Sequence, residues 1–193
     1  MVKRLLKPTV GVRPVPVVLV TCIGEEGRAN VITLAWVGVV CSLPPMVSIA
    51  VRPERFSHDL IKSTGQFVVN LPSSDQLWAV DYCGTRSGRH EDKFAAAGLT
   101  PAPASEVKPP LIAECPINIE CVVRHELSLG SHDLFIGEVV AVHADENALD
   151  EAGNLSAAGA RLMMYDQPDY LSLGSKLSWH GYSKSQGSAS SDA

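Results

Sequence analysis

Short apolar runs rich in β-branched residues, each closed by glycine, proline or a polar cluster, dominate the first part of the chain. Val17 to Ile23 is such a run, and Gly24-Glu25-Glu26-Gly27 behind it is a turn whose glycines accept positive φ. Asn30 to Val40 reads as one long β-prone stretch carrying Thr33 and Trp36. Leu43-Pro44-Pro45 ends it, since proline has no N–H to give a ladder, and Met46 to Arg52 predicts a third strand. The period then changes. Ser57 to Thr64 predicts a short helix with Ser57 as N-cap, Leu60 and Ile61 as apolar face and Gly65 as its stop. Gln66 to Leu71 returns to strand, and Ser74 or Asp75 caps a second short helix running through Tyr82. Gly84 to Glu91 is too polar and glycine-rich for a core element and reads as a loop, while Asp92 to Ala97 is a helical turn ended by Gly98.

After a connector containing Pro101, Pro103, Pro109 and Pro110, the residues Ile117, Ile119, Cys121 and Val123 alternate with Asn118, Glu120 and Val122. That is the period of a half-buried strand. Ser128 to His132 supplies a turn, and Leu134 to Val142 pairs back as a hairpin. Residues 1–180 read as one domain and the small, polar residues 181–193 as a disordered tail. Short strands with short intervening helices predict a mainly β fold, a closed or nearly closed barrel with helical insertions. No G-x-G-x-x-G follows the first strand, so a doubly wound nucleotide fold is disfavoured.

Composition narrows the classes. The 193 residues are 46% hydrophobic and 19% charged, with a formal net charge of −5. Such a chain offers no broad basic field for nucleic acid. It has no apolar run long enough for a transmembrane helix, and the basic start (Lys3, Arg4, Lys7) lacks the apolar run of a signal peptide, so a cytoplasmic location is expected and no membrane partner. The five cysteines contain no C-x-x-C pair and read as structural thiols. No two of the six histidines share a tight metal-ligand spacing, so no metal is expected. Neither a G-x-S-x-G elbow nor an H-E-x-x-H helix is present.

Three segments carry more chemistry than a plain barrel needs. In Thr33-Leu34-Ala35-Trp36, small side chains let a flat, uracil-like ring edge approach backbone N–H and C=O groups; an ordinary amphipathic strand with Trp36 in the core reads the same way. Arg52-Pro53-Glu54-Arg55-Phe56-Ser57 leaves a strand and enters a helix, where orphan N–H groups beside arginines suit a phosphate, or a solvated loop with a routine cap. Gly84 to Phe94 gathers Arg86, Arg89, His90 and Lys93 in an otherwise acidic protein, as a loop closing on an anion or as a solvated basic loop.

Taken in order, these segments resemble the flavin reductase-like, FMN-binding split-barrel family, particularly its flavoredoxin-like branch. The shared text runs from Pro14 to Tyr170 and includes Asn30 with Thr33-x-Ala35-Trp36, Arg55-x-Ser57, Gly65 to Pro72, Ser87-Gly88-Arg89, Asp92-Lys93-Phe94, and His132 with Leu134 to Val139. The resemblance implies a six-stranded antiparallel split β-barrel with helical insertions, a homodimer with flavin near its interface, and FMN as cofactor with NAD(P)H as possible reductant. It implies Thr33 to Trp36 at the isoalloxazine ring; Arg52, Pro53, Arg55 and Ser57 at the ribityl phosphate; Asn70 as a polar contact; and Ser87, Gly88, Arg89 and Lys93 as the closing loop. His132 matches a histidine placed near the nicotinamide, although this chain reads Gly130-Ser131-His132 where Gly-Asp-His is common. The implied activity is NAD(P)H-dependent flavin reduction, with an FMN electron carrier serving a redox protein partner as the alternative.

Overall fold

The computed structural model describes residues 1–185. After a minimal strand β1 (Val15–Pro16), the first apolar run forms β2 (Val18–Ile23) and turns back into β3 (Ala29–Leu34). The expected single strand from Asn30 to Val40 is broken at Ala35-Trp36, and the chain resumes as β4 (Val37–Ser42). The break has a topological cause: β3 pairs with β2, whereas β4 pairs with β5 (Pro45–Val51), so the chain changes partner there. Helix α1 (Phe56–Thr64) and β6 (Gln66–Leu71) follow, and Gly65 closes the helix at φ 64° as its left-handed stop. Ser73, not Ser74 or Asp75, caps the next segment, a 3₁₀ turn leading into α2 (Leu77–Thr85), and Asp92 caps α3 (Lys93–Ala97).

The proline-rich connector contributes a two-stranded ribbon, β7 (Pro101–Ala102) and β8 (Leu111–Ile112). The long hairpin of β9 (Ile117–Ser128) and β10 (Asp133–Ala144) completes the main sheet. Its strand order is β3-β2-β6-β9-β10-β5-β4, antiparallel throughout. Counting β3 and β4 as one interrupted strand gives the six strands of a split barrel, with the chain itself bridging the two open edges. The hairpin outruns the expected Val123 because ladder pairing continues through Arg124 to Ser128, where both faces are solvated and apolar alternation gives no signal. The small strands β11 (Met163–Asp166) and β12 (Asp169–Ser172) sheet with β1, and α4 (Tyr182–Ser185) adds one helical turn inside the expected tail, whose remainder lies outside the described residues.

Alternation along β2 and β3 divides the interior. Val18, Val20, Cys22 and Ile32 face the barrel core with Ile49, Phe67 and Phe135, while Val17, Leu19 and Val31 pack on Val80, Cys83 and Phe94 of the helical layer. Gly137 keeps the barrel core open, since a Cβ there would lie 2.6 Å from the Phe67 ring.

The second face of β9 is not solvated as its alternation suggests. Asn118 and Glu120 are buried beneath the proline-rich connector. Glu120 accepts from the backbone N–H groups of Ser105 (2.8 Å), Glu106 (2.7 Å) and Val107 (3.0 Å), from the Ser105 hydroxyl, and from His143. These donors overcome the burial that would raise its pKa and hold the carboxyl down at about 2. Because the folded value lies below the ordinary 4.5, this stabilisation is full above pH 4.5 and is lost as pH falls toward about 2. Glu120→Gln is expected to cost about 2–3 kcal/mol in urea unfolding at pH 7, by turning an amide N–H₂ toward N–H donors, and to flatten the acid limb of stability against pH.

Candidate functional site

The site sits where β3 is an edge strand. Among the described residues only β2 pairs with it, which leaves one row of its backbone N–H and C=O groups outside the ladder, and Asn30, Ile32, Thr33 and Leu34 line the cleft beside it. The cleft has three adjoining lobes. The inner one is lined by Asn30, Arg55, Ser57, Cys83, Gly84, Arg86, Ser87, Gly88 and Lys93, with Ile32, Glu54 and Phe56. The second shares Arg55 and Gly84 and opens onto Thr33, Leu34, Ala35, Trp36, Arg52 and His132. A third continues past Thr33, Ala35 and Gly84 to Val17, Asp81, Thr85, Tyr165 and Tyr170.

Local chemistry fixes the inner lobe. Arg55 is the extended residue before α1, reached by a turn in which its N–H donates to the Arg52 carbonyl. The expected cap at Ser57 is therefore two residues too late. Ser57 lies inside the helix, buried, and its hydroxyl accepts from Asn30 Nδ2 at 2.7 Å. No side-chain cap bonds to this helix start, and Arg55, Phe56 and Ser57 around it line the lobe. Gly88 comes so close to Asn30 that an added Cβ would sit 2.0 Å from Asn30 Oδ1. The Gly88 carbonyl accepts from Arg28 at 2.6 Å, tying the loop to the barrel, and Phe56 lies between the guanidinium groups of Arg28 and Arg89. Lys93 is 3% exposed, the first residue of α3 rather than part of the loop. Its ammonium donates to the Cys83 carbonyl (2.9 Å) and the Arg86 carbonyl (3.3 Å) at the end of α2, and pairs with no carboxylate among the described residues. Burial pushes its pKa below the ordinary 10.5.

The second lobe is flat and partly aromatic. Trp36 is not core: it is 44% exposed and lies on the His132 ring, with centroids 4.3 Å apart and planes at 39°. Ser131 Oγ is 2.9 Å from His132 Nδ1. Burial, then the neighbouring Arg52, push the His132 pKa below its ordinary value, which favours the neutral ring. Of the charged residues lining these two lobes, Arg52, Arg55, Arg86 and Lys93 outnumber the single carboxylate of Glu54. The field is positive in a chain whose net charge is −5.

Of the expected site residues, Thr33 to Trp36, Arg52, Arg55, Ser57, Ser87, Gly88, Lys93 and His132 come together. Asn70 does not. It is fully buried, donating to the Leu19 carbonyl and accepting from Ile112 N–H and Asn118, so its polarity serves the packing of the connector. Pro53 shapes the turn without lining the cleft, and Arg89 stands at the rim, paired with Asp59 at 3.3 Å. Asn30, Phe56, Gly84 and Arg86, which lie in the segments singled out from the sequence without an assigned contact, also line it, while Cys83, Tyr165 and Tyr170 join the lining unanticipated. An asparagine heading an apolar strand was the available signal for Asn30; the two tyrosines stand in a stretch with no motif.

The sequence profile of the flavin reductase like domain matches residues 11–174. The chain belongs to the flavin reductase-like family. Among solved members of this fold, flavoredoxin of Desulfovibrio vulgaris (Miyazaki F) superposes with a TM-score of 0.89 at 30% identity, covering 95% of this chain and 100% of that one. Flavoredoxin from Methanosarcina acetivorans gives 0.88 at 28% identity, over 96% and 99%. An FMN-binding protein from Thermus thermophilus gives 0.74 at 27% identity, over 89% and 95%. For this flavin reductase-like chain the cleft therefore falls within the matched region, and no helix among the described residues is long and apolar enough to cross a membrane.

Proposed function

We propose that the chain binds FMN in this cleft and passes hydride from NAD(P)H to the flavin, as a cytoplasmic homodimer. The observation that carries the reading is Lys93: a buried ammonium without a carboxylate partner, beside Arg55 and the uncapped start of α1. A phosphate is the anion that this donor set fits, because it accepts several charged hydrogen bonds at once. The open edge of β3 fits the other end of the cofactor, where a planar ring exchanges hydrogen bonds with backbone groups at Thr33 to Trp36. Bound FMN supplies the two-electron acceptor for the hydride. The protein's own contribution is placement: Arg55, Ser57 and Lys93 would hold the phosphate, the β3 edge would orient the ring, and His132, held on Trp36, would present its imidazole to the nicotinamide.

The exposed edge strand β4 supports the dimer. Val39 is 80%, Val40 48% and Leu43 88% exposed, an apolar edge that solution contact would leave uncovered. The five unpaired cysteines suit a reducing compartment. The flavoredoxin likeness favours one second reading, an FMN carrier reduced by a protein partner and not by NAD(P)H.

Arg55→Ala should weaken FMN roughly 10- to 150-fold while changing riboflavin affinity little, since only FMN carries the phosphate. Equal weakening of both in fluorescence titration rejects the phosphate assignment. His132→Ala should leave FMN affinity intact and slow flavin reduction by NAD(P)H roughly 5- to 150-fold in stopped flow, with dithionite reduction unaffected. No reduction of the wild type by NADH or NADPH would favour the carrier. Light scattering should give twice the 20.6 kDa chain mass, and a monomer that retains flavin refutes the dimer.

A further inference from the structure

One buried polar pair lies behind the cleft and touches none of its lobes. His58, next to Ser57 on α1, is 5% exposed, and Asp133, next to His132 at the start of β10, is 6% exposed. His58 Nε2 donates to Asp133 Oδ2 at 2.8 Å, and the imidazole edge packs on Phe135 with centroids 5.4 Å apart. This hydrogen bond, with Ser128 beside it, holds the Asp133 carboxyl below the ordinary carboxylate range. Glu126 lies close enough to complete a trio of ligand type with these two, but it is occupied by Lys62. That arrangement is a structural tie rather than an empty cation site.

We propose that the His58–Asp133 hydrogen bond is the positioning element that holds His132 against Trp36. Asp133 is the first residue of β10, paired with Val51 on one side and Ser128 on the other, and His132 lies just outside the ladder. The turn is closed by the Leu129 N–H donating to the His132 carbonyl at 3.0 Å, which ties the backbone and not the imidazole. The side-chain bond to α1 pins this end from a third direction. It also joins the two ends of the cleft through adjacent residues, with Ser57 and His58 on the helix and His132 and Asp133 on the hairpin. His58 and Asp133 act through His132 and are positioning residues. Their consequence for hydride transfer rests on the function proposed above, whereas their hold on the His132 ring does not.

The test reads that ring directly. Stacking at 4.3 Å places His132 in the ring current of Trp36, so its imidazole proton resonances in the full-length chain are displaced upfield. His58→Leu should collapse that displacement, and His58→Gln, which keeps a donor near the position of Nε2, should retain most of it. If His58→Leu fails to fold, Asp133→Ala removes the acceptor with the same expected collapse. An unchanged displacement in either folded variant overturns the proposal. Stopped-flow reduction by NAD(P)H forms the second arm: His58→Leu should slow it about tenfold in the wild type and add nothing in the His132→Ala background. Additive losses in that cycle also overturn the proposal. A collapsed displacement with an unchanged reduction rate leaves the positioning role standing and removes the hydride-transfer reading of His132.

Discussion

Two strands that are neighbours in the chain, β3 and β4, lie at opposite edges of the same sheet, and nearly everything about this molecule follows from that. Each edge has a single partner, so the chain must cross between them at Ala35-Trp36, and Trp36 accepts from Ala50 N–H to complete the crossing. The barrel is left split along this line. One side of the split offers unpaired backbone groups to the cleft, and the other leaves Val39, Val40 and Leu43 uncovered. A closed barrel of the same residues would bury both features and have nowhere to seat a planar ligand.

Around the split, polarity is used in two different ways. Glu120, Asn70 and Asn118 are buried polar groups with their hydrogen bonds satisfied inside the protein, and they hold the proline-rich connector to the sheet. Lys93 is buried nearly as deeply, but its ammonium donates only to the Cys83 and Arg86 carbonyls and makes no ion pair among the described residues, and Arg55 stands beside it at a helix start without a side-chain cap. The first group serves folding. The second leaves an excess of positive charge in one cleft of a net-acidic chain.

The sequence was most legible where a single period governs. β2, β6, the stop at Gly65 and the turn before His132 all stand close to where the apolar pattern puts them. It was less legible where partners matter. Nothing in Asn30 to Val40 marks the change of pairing, because Val37 to Val40 are as β-prone as the residues before the break. Asn70 and Asn30 are asparagines in comparable apolar strands, one spent on packing and one on the cleft, and only the layer above each strand separates them. Ser57 looked like a cap because serine often is one; its hydroxyl faces Asn30 instead, which leaves the helix start open.

The cysteines acquire a meaning from where the sheet places them. Cys83 lines the inner lobe, yet burial pushes its thiol up to about 11; Cys22 and Cys121, in the barrel core, are pushed up to about 12 by the same cause. A thiol kept protonated is a poor nucleophile and resists stepwise oxidation. The sulfur that lines the cleft is thereby kept as the unreactive thiol. Cys41, on the edge strand β4, is only partly buried, so in the single chain oxidation would begin at the sheet edge, away from the cleft, and pairing of that edge would shield it.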